Sequence, residues 1–383
     1  MQALESSNVV RRKPNLVKSN FVQSATVSTS RNFEFCEVKE LCNACPMINN
    51  PYKKGLYKKY YLQLSELKKN KFLGGTKFVG VTSASKNLAH KNYSTLTLGI
   101  DQTGDLSPKV FLKDSKISVN NSLPNLSFCP THARVIGKFI RDLQKQISEL
   151  GIDVYDPKRD TGALKELTIR SSHITEELMV VFHVTTDISN QLKRLSKIIR
   201  ASDQYNLSSV SMINESLNGR GNNENLTKIA GSEKLRESLC DLNFEISPMG
   251  AFPYSPSNFS SFYRRIEQLG GFVQNKVAWD IFSDFGIASM LLARSGYRVL
   301  ATEFNPKALV DLSQNLRRNN LVDKVEVLTH NTGNAFLNIP KWAHSPSLIV
   351  CKAPADGITK QLSTQLRLTM NNSKPILIYL SSN

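Results

Sequence analysis

The chain has 383 residues, 40% of them hydrophobic, which is enough for two ordinary domains with separate cores. No apolar run approaches the roughly 18 residues of a membrane helix, so the sequence reads as a soluble protein with no membrane partner. Lys plus Arg number 49 against 32 Asp plus Glu, a formal charge of +17. That excess points to a polyanion, most simply nucleic acid; a soluble enzyme with a basic surface is the alternative.

Residues 1–33 are rich in Ser, Asn and basic side chains, with Glu5 their one acid, and read as a flexible basic tail. An organelle-targeting peptide has similar chemistry, but Pro14 interrupts the amphipathic helix that it needs. The expected compartment is therefore the cytoplasm, with a mitochondrial or other organelle matrix as the alternative.

Cys36, Cys42 and Cys45 follow in CEVKELCNAC, and Cys129 stands much farther on in SFCPTH. A C-x5-C-x2-C…C set suits [4Fe–4S] or zinc, because the close pair fills adjacent corners of a tetrahedron and a remote thiolate closes it. Four unrelated buried cysteines are the alternative. Disulfides fit poorly, since nothing resembles a secretory leader.

In NNPYKKGLYKKYYLQLSELKKNKF, Lys53, Lys54, Lys58 and Lys59 interleave with Tyr57, Tyr60 and Tyr61. The latter half reads as a helix with a basic face able to grip phosphates while its aromatics stack bases. A solvated helix with inward-packed tyrosines reads equally well. Short alternating segments over 73–128 predict strands. ARVIGKFIRDLQKQISELGI carries an apolar stripe ending at Gly151 and predicts a core helix. LKELTIRS and ELMVVFHV predict a hairpin with Lys165 and Arg170 free for RNA, SNQLKRLSKIIRA a helix, NGRGNNEN a loop, and Ser255 to Leu269 another helix. Residues 34–250 thus read as an α+β domain carrying the four-cysteine site.

Residues 251–383 alternate strand and helix, predicting a doubly wound parallel sheet. Asp280 ends the first strand, Gly286 sits in the turn that follows, and Glu303 ends the second. A glycine there lets a nucleotide-type ligand approach, and a carboxylate at the second strand end accepts ribose hydroxyl hydrogen bonds. An α/β domain without cofactor is the alternative. Cys240, Trp279 and Trp342 read as core residues and His330 as a structural histidine.

From the cysteine set onward, the sequence resembles the RNA uracil-5-methyltransferases that carry an iron–sulfur cluster, particularly the branch acting on 23S ribosomal RNA. The resemblance implies a [4Fe–4S] cluster on Cys36, Cys42, Cys45 and Cys129. HKNYSTLTLG is similar to a family strand whose arginine falls on Lys91. AWDIFSDFGIASMLLA is similar to the S-adenosylmethionine loop, keeping Asp280 and Gly286. ATEFNPKALVDLSQNLRRNNL places Glu303 on the ribose, and Asn331 falls where the family contacts adenine. The Rossmann-like domain implied is that of an S-adenosylmethionine-dependent methyltransferase, acting as a monomer on RNA, most simply ribosomal RNA.

The departures fall where the chemistry belongs. The family's nucleophilic cysteine aligns with Ser382, and a hydroxyl is far the poorer nucleophile at neutral pH. A polar base contact becomes Lys352 and an arginine becomes Ala355; the family's base glutamate would lie past Asn383. In the donor loop Pro253 replaces a glutamine and Asp284 replaces a glycine, so Asp284 would face the methionine carboxylate unless Arg264 or Arg265 neutralised it. The expectation is an RNA-binding relative with impaired catalysis; a working uracil-5-methyltransferase using another nucleophile, with Cys351 as the candidate, is the alternative.

Overall fold

The computed structural model describes residues 36, 45, 51–69, 83–100, 106–109, 126–215, 226–271, 273–329, 339–354 and 356–380. The basic tail, Cys42, the NGRGNNEN loop, His330, Asn331, Ala355 and Ser382 lie outside them. The chain forms two compact units, residues 1–32 with 50–83 and residues 33–49 with 84–383.

In the first unit, helix α1 (Tyr52–Lys69) starts at the head of the Lys/Tyr run rather than in its latter half. Pro51 sets up the first turn, and its carbonyl accepts the Gly55 N–H at 3.0 Å. Lys53, Lys54, Lys58 and Lys59 are exposed. Tyr57 and Tyr61 do not pack inward: they are 63% and 64% exposed.

In the second unit, β1 (Tyr93–Ile100), β2 (Leu106–Lys109), β3 (Leu164–Ser171), β4 (Leu178–Val184), β5 (Leu207–Asn214) and β6 (Leu226–Gly231) form one sheet ordered β2-β1-β3-β4-β5-β6. Neighbours are antiparallel except β4 and β5, which α3 (Ser189–Ala201) joins as a parallel crossover. Helix α2 (Arg134–Glu149) lays Ile136, Phe139, Ile140, Leu143 and Ile147 on this sheet beside Leu164, Leu167 and Ile169. Each such side chain contributes about 1.5–3 kcal/mol by leaving water. Cys36 lies in the same core and Cys129 packs against it.

Hairpin β7 (Leu235–Leu239) and β8 (Leu242–Ile246) was not among the predicted elements. Its two turn residues, Cys240 and Asp241, both have positive φ, the conformation that matches strand twist in a two-residue turn. Cys240 is a core residue as expected.

After α4 (Pro256–Gly271) come β9 (Val277–Ile281), α5 (Ile287–Arg294), β10 (Arg298–Thr302), α6 (Pro306–Arg318), β11 (Val325–Leu328), β12 (Leu348–Lys352), α7 (Lys360–Ser373) and β13 (Ile376–Leu380). The five strands are all parallel, in the order β11-β10-β9-β12-β13. Side chains alternate between two cores. Ala278, Val299, Ala301, Leu348 and Val350 face α4, α5 and α6, whereas Trp279, Ile281, Leu300, Ile349 and Cys351 face α7. Trp279 is fully packed and its indole N–H donates to the Ala343 carbonyl at 2.9 Å. Trp342 lies under the Arg298 guanidinium, 4.0 Å from the ring centre. The order reverses between β9 and β12, and in open parallel sheets the ligand crevice lies at the carboxyl ends of the strands flanking that reversal.

Candidate donor site at the sheet reversal

The turn from β9 to α5 runs through three left-handed residues, Phe282 (φ +60°), Asp284 (φ +48°) and Gly286 (φ +71°). Glycine is required at 286, because a Cβ there would come 2.1 Å from Leu312 Cδ1. Aspartate tolerates the left-handed region better than most residues, which lets Asp284 stand where the related loop has glycine. Phe282 has no such ease, and a bulky side chain at positive φ is the strain that clusters at binding sites.

Asp280 is buried at the end of β9. Its Oδ2 accepts hydrogen bonds from the Ser289 amide at 2.9 Å and the Ser289 hydroxyl at 2.5 Å, pinning the first turn of α5. Burial pushes its carboxyl up to about 6, against the opposing pull of those bonds and of Lys352.

Glu303, 4% exposed just past the end of β10, accepts from three backbone amides: Asp284 at 2.8 Å on Oε2, and Phe304 and Asn305 at 2.8 Å each on Oε1. An ionised carboxylate offers about four acceptor positions. The position left over is the one a ribose hydroxyl could fill, so the donor set fits a nucleoside, and the same carboxylate fixes the turn.

Asp284 is neutralised, but by neither expected arginine. Arg264 pairs with Asp241 at 3.2 Å and Arg265 donates to Gln268 at 3.3 Å. Asp284 instead forms an ion pair with Lys352, the last residue of β12. Lys352, read from sequence as a base contact, is thus engaged across the reversal point.

Cys351, one residue earlier, is 0% exposed on the α7 side of the sheet. Burial, and next the nearby Asp280 charge, push its thiol up to about 12. It is an inert core residue rather than a substitute nucleophile.

Segment 250–255 ties this site to the other sheet. Phe252 packs on Phe285 of the turn with ring centres 5.5 Å apart, and the Tyr254 carbonyl accepts the Asn92 N–H at 2.7 Å. Arg170, expected to be free for RNA, is instead 4% exposed; it donates to the Phe252 carbonyl at 3.2 Å and the Gly250 carbonyl at 2.9 Å and stacks on Tyr93. Lys165 is occupied as well, by Glu215 at 2.5 Å. A guanidinium reaching carbonyls some eighty residues away in sequence leaves no local signal, which is why the role of Arg170 was missed.

The Lys91 Nζ lies 4.0 Å from Cys45 Sγ. Cys129 Sγ sits 3.2 Å from the Thr131 hydroxyl. His132 Nε2 meets the Ser94 hydroxyl at 2.7 Å, while its buried Nδ1 has no partner among the described residues. A cationic Lys91 beside Cys45 suits a thiolate ligand. Among the described residues, however, no three His, Cys, Asp or Glu side chains gather closely enough to hold a metal ion, and Cys42 lies outside them. None of the described helices is long and apolar enough to cross a membrane.

No family model matches the chain. A protein of Bacillus cereus named an uncharacterized RNA methyltransferase is 23% identical over 358 residues, covering 91% of this chain and 74% of the relative. A protein of Clostridium acetobutylicum with the same description is 20% identical over 346 residues, covering 90% and 73%. Among solved structures, the tRNA (uracil-54, C5)-methyltransferase of Pyrococcus abyssi in complex with S-adenosyl-L-homocysteine superposes with a TM-score of 0.67 at 21% identity, over 89% of this chain and 75% of that one. The chain therefore has the α/β fold of that methyltransferase.

Proposed function

We propose that this protein is an RNA-binding member of the S-adenosylmethionine-dependent RNA (uracil-C5) methyltransferase kind, carrying a [4Fe–4S] cluster and impaired in the methyl-transfer step, and that it serves by holding ribosomal RNA. The observation that carries the reading is Glu303, fixed by three amides at the sheet reversal with one acceptor position left for a ribose hydroxyl. S-adenosylmethionine, when bound, would supply the methyl group. Glu303 would hold its ribose, the turn at Gly286 would admit it closely, and Lys352 would keep Asp284 from repelling its carboxylate. The names of the relatives support RNA as the substrate class, and the +17 charge and the basic face of α1 agree with a polyanion.

Impairment rests on Ser382 at the nucleophile position and on the burial of Cys351. The cluster rests on the cysteine spacing and on the Lys91 ammonium beside Cys45; no step is assigned to it.

Calorimetry with S-adenosylhomocysteine and salt-titrated binding of ribosomal RNA fragments test the reading. Nucleoside binding abolished in Glu303→Ala, and the logarithm of RNA affinity falling linearly with log salt, are the expected results. Charge reversal at Lys53, Lys54, Lys58 and Lys59 should lower that slope by about one for each phosphate no longer neutralised. A chain that binds neither ligand would sink the proposal.

A further inference from the structure

Helix α7 carries no acidic residue in its fourteen positions. Leu362, Leu366 and Thr369 turn inward, while Lys360, Ser363, Thr364 and Arg367 share the outer face at helical spacing, and all four are exposed or partly so. With Ile358 they line an open groove of about 410 Å³. Among the described residues neither Lys360 nor Arg367 has an ion-pair partner, although most other arginines of the parallel-sheet region are engaged: Arg264, Arg294, Arg298 and Arg318 all face carboxylates.

The position of the groove decides what it can hold. Because β12 and β13 are parallel neighbours, α7 must begin at the carboxyl edge of the sheet and run back along it. Its first residues therefore stand at the same edge as Lys352, Asp284 and Glu303. Two cations about 10 Å apart along the axis exceed the reach of a single phosphate, but their long side chains can each take a different phosphate of one extended single strand. Between them the Ser363 hydroxyl can donate to a phosphate oxygen, while the Thr364 hydroxyl donates to the Lys360 carbonyl at 3.0 Å.

We propose that the outer face of α7, from Ile358 to Arg367, binds the phosphodiester backbone of the RNA strand whose target nucleotide enters the donor site. This rests on the RNA reading above and adds to it a second contact surface, separate from α1. The contact is sequence-independent: it sets the register of the strand and leaves base recognition to other residues.

The test compares RNA and S-adenosylhomocysteine binding by the full chain and three double variants. Lys360→Glu with Arg367→Glu should lower RNA affinity about tenfold or more at low salt and reduce the log–log salt slope by about two, with nucleoside affinity unchanged. Lys360→Gln with Arg367→Gln should reduce the slope by the same amount, which guards against an effect of the introduced acids on folding. Lys193→Glu with Lys197→Glu, an equal charge change on the exposed face of α3, should have the smaller effect. RNA affinity and slope unchanged in both α7 variants, or lowered as much by the α3 variant, would overturn the proposal. A wild-type chain that binds the nucleoside but no RNA would reject the RNA reading itself, and the α7 surface with it.

Discussion

Lys352 and Asp284 come from the two strands that flank the reversal of the sheet, Lys352 ending β12 and Asp284 standing just past β9, and they meet as an ion pair at its carboxyl edge. Both side chains are about one-third exposed, so the pair contributes little to stability, on the order of 1 kcal/mol or less. Its larger consequence is electrostatic. Without Lys352 the Asp284 carboxylate would confront any carboxylate brought into the turn.

Lys352→Met should therefore weaken S-adenosylhomocysteine binding by about three- to tenfold while moving the melting temperature little. Adding Asp284→Gly should restore affinity, since it removes the repulsion and suits the left-handed position. Calorimetric titration of wild type and both variants reads this directly; a double variant as weak as the single one would refute the charge argument.

Asp280 gives a pH signature. Its folded-state carboxyl is raised to about 6 from an ordinary value near 3.8, so between these values the folded protein binds more protons than the unfolded chain. The contribution of this group to stability is greatest below pH 4, falls as pH rises toward 6 and is flat beyond. The whole effect amounts to about 3 kcal/mol. Asp280→Asn keeps an acceptor for Ser289 without the charge. Its stability relative to wild type should thus rise between pH 4 and 6 in denaturant titrations, and a pH-independent difference would contradict the assignment.

The strands and helices of the parallel sheet were legible because their alternation is local: Ala278 and Asp280 face one way, Trp279 and Ile281 the other. Gly286 and Glu303 were legible for the same reason, each standing at a strand end or turn that the pattern locates. What was not legible depends on which ends meet. Nothing near Arg264 excluded it as the partner of Asp284 until the reversal of strand order placed Lys352 there. Hairpin β7–β8 was missed for a related reason. The Glu245 N–H donates to Asn315 Oδ1 at 2.8 Å and the Asn243 N–H to Asn319 Oδ1 at 3.0 Å, so α6 satisfies a strand edge with side chains one turn apart. In sequence these asparagines look like weak helix formers rather than sheet partners.

The cysteine set predicts composition. Protein purified without oxygen should carry about one [4Fe–4S] per chain, with matching iron and sulfide and a broad visible absorbance. Cys42→Ala should lose the cluster and lower stability in the region that includes Cys36 and Cys129, because ligand binding is coupled to folding. Stoichiometric zinc without sulfide would assign the site to the other metal that the spacing allows.

Catalysis separates the impaired reading from its rival. With a thiol pushed up to about 12, Cys351 would be thiolate in only about one molecule in 10⁵ at neutral pH, and its side chain is sealed between β12 and α7. A serine hydroxyl at 382 has no such anion to offer without an adjacent base. Incubation with S-adenosylmethionine and ribosomal RNA or tRNA should therefore yield no detectable 5-methyluridine, although both ligands bind. Ser382→Cys supplies the missing nucleophile alone, and should allow a covalent adduct with 5-fluorouridine RNA where wild type gives none. Cys351→Ala should change neither result, costing only the packing of a small buried side chain. Turnover by wild type that disappears in Cys351→Ala would show that the sheet opens to expose this thiol, and would make the protein a working enzyme.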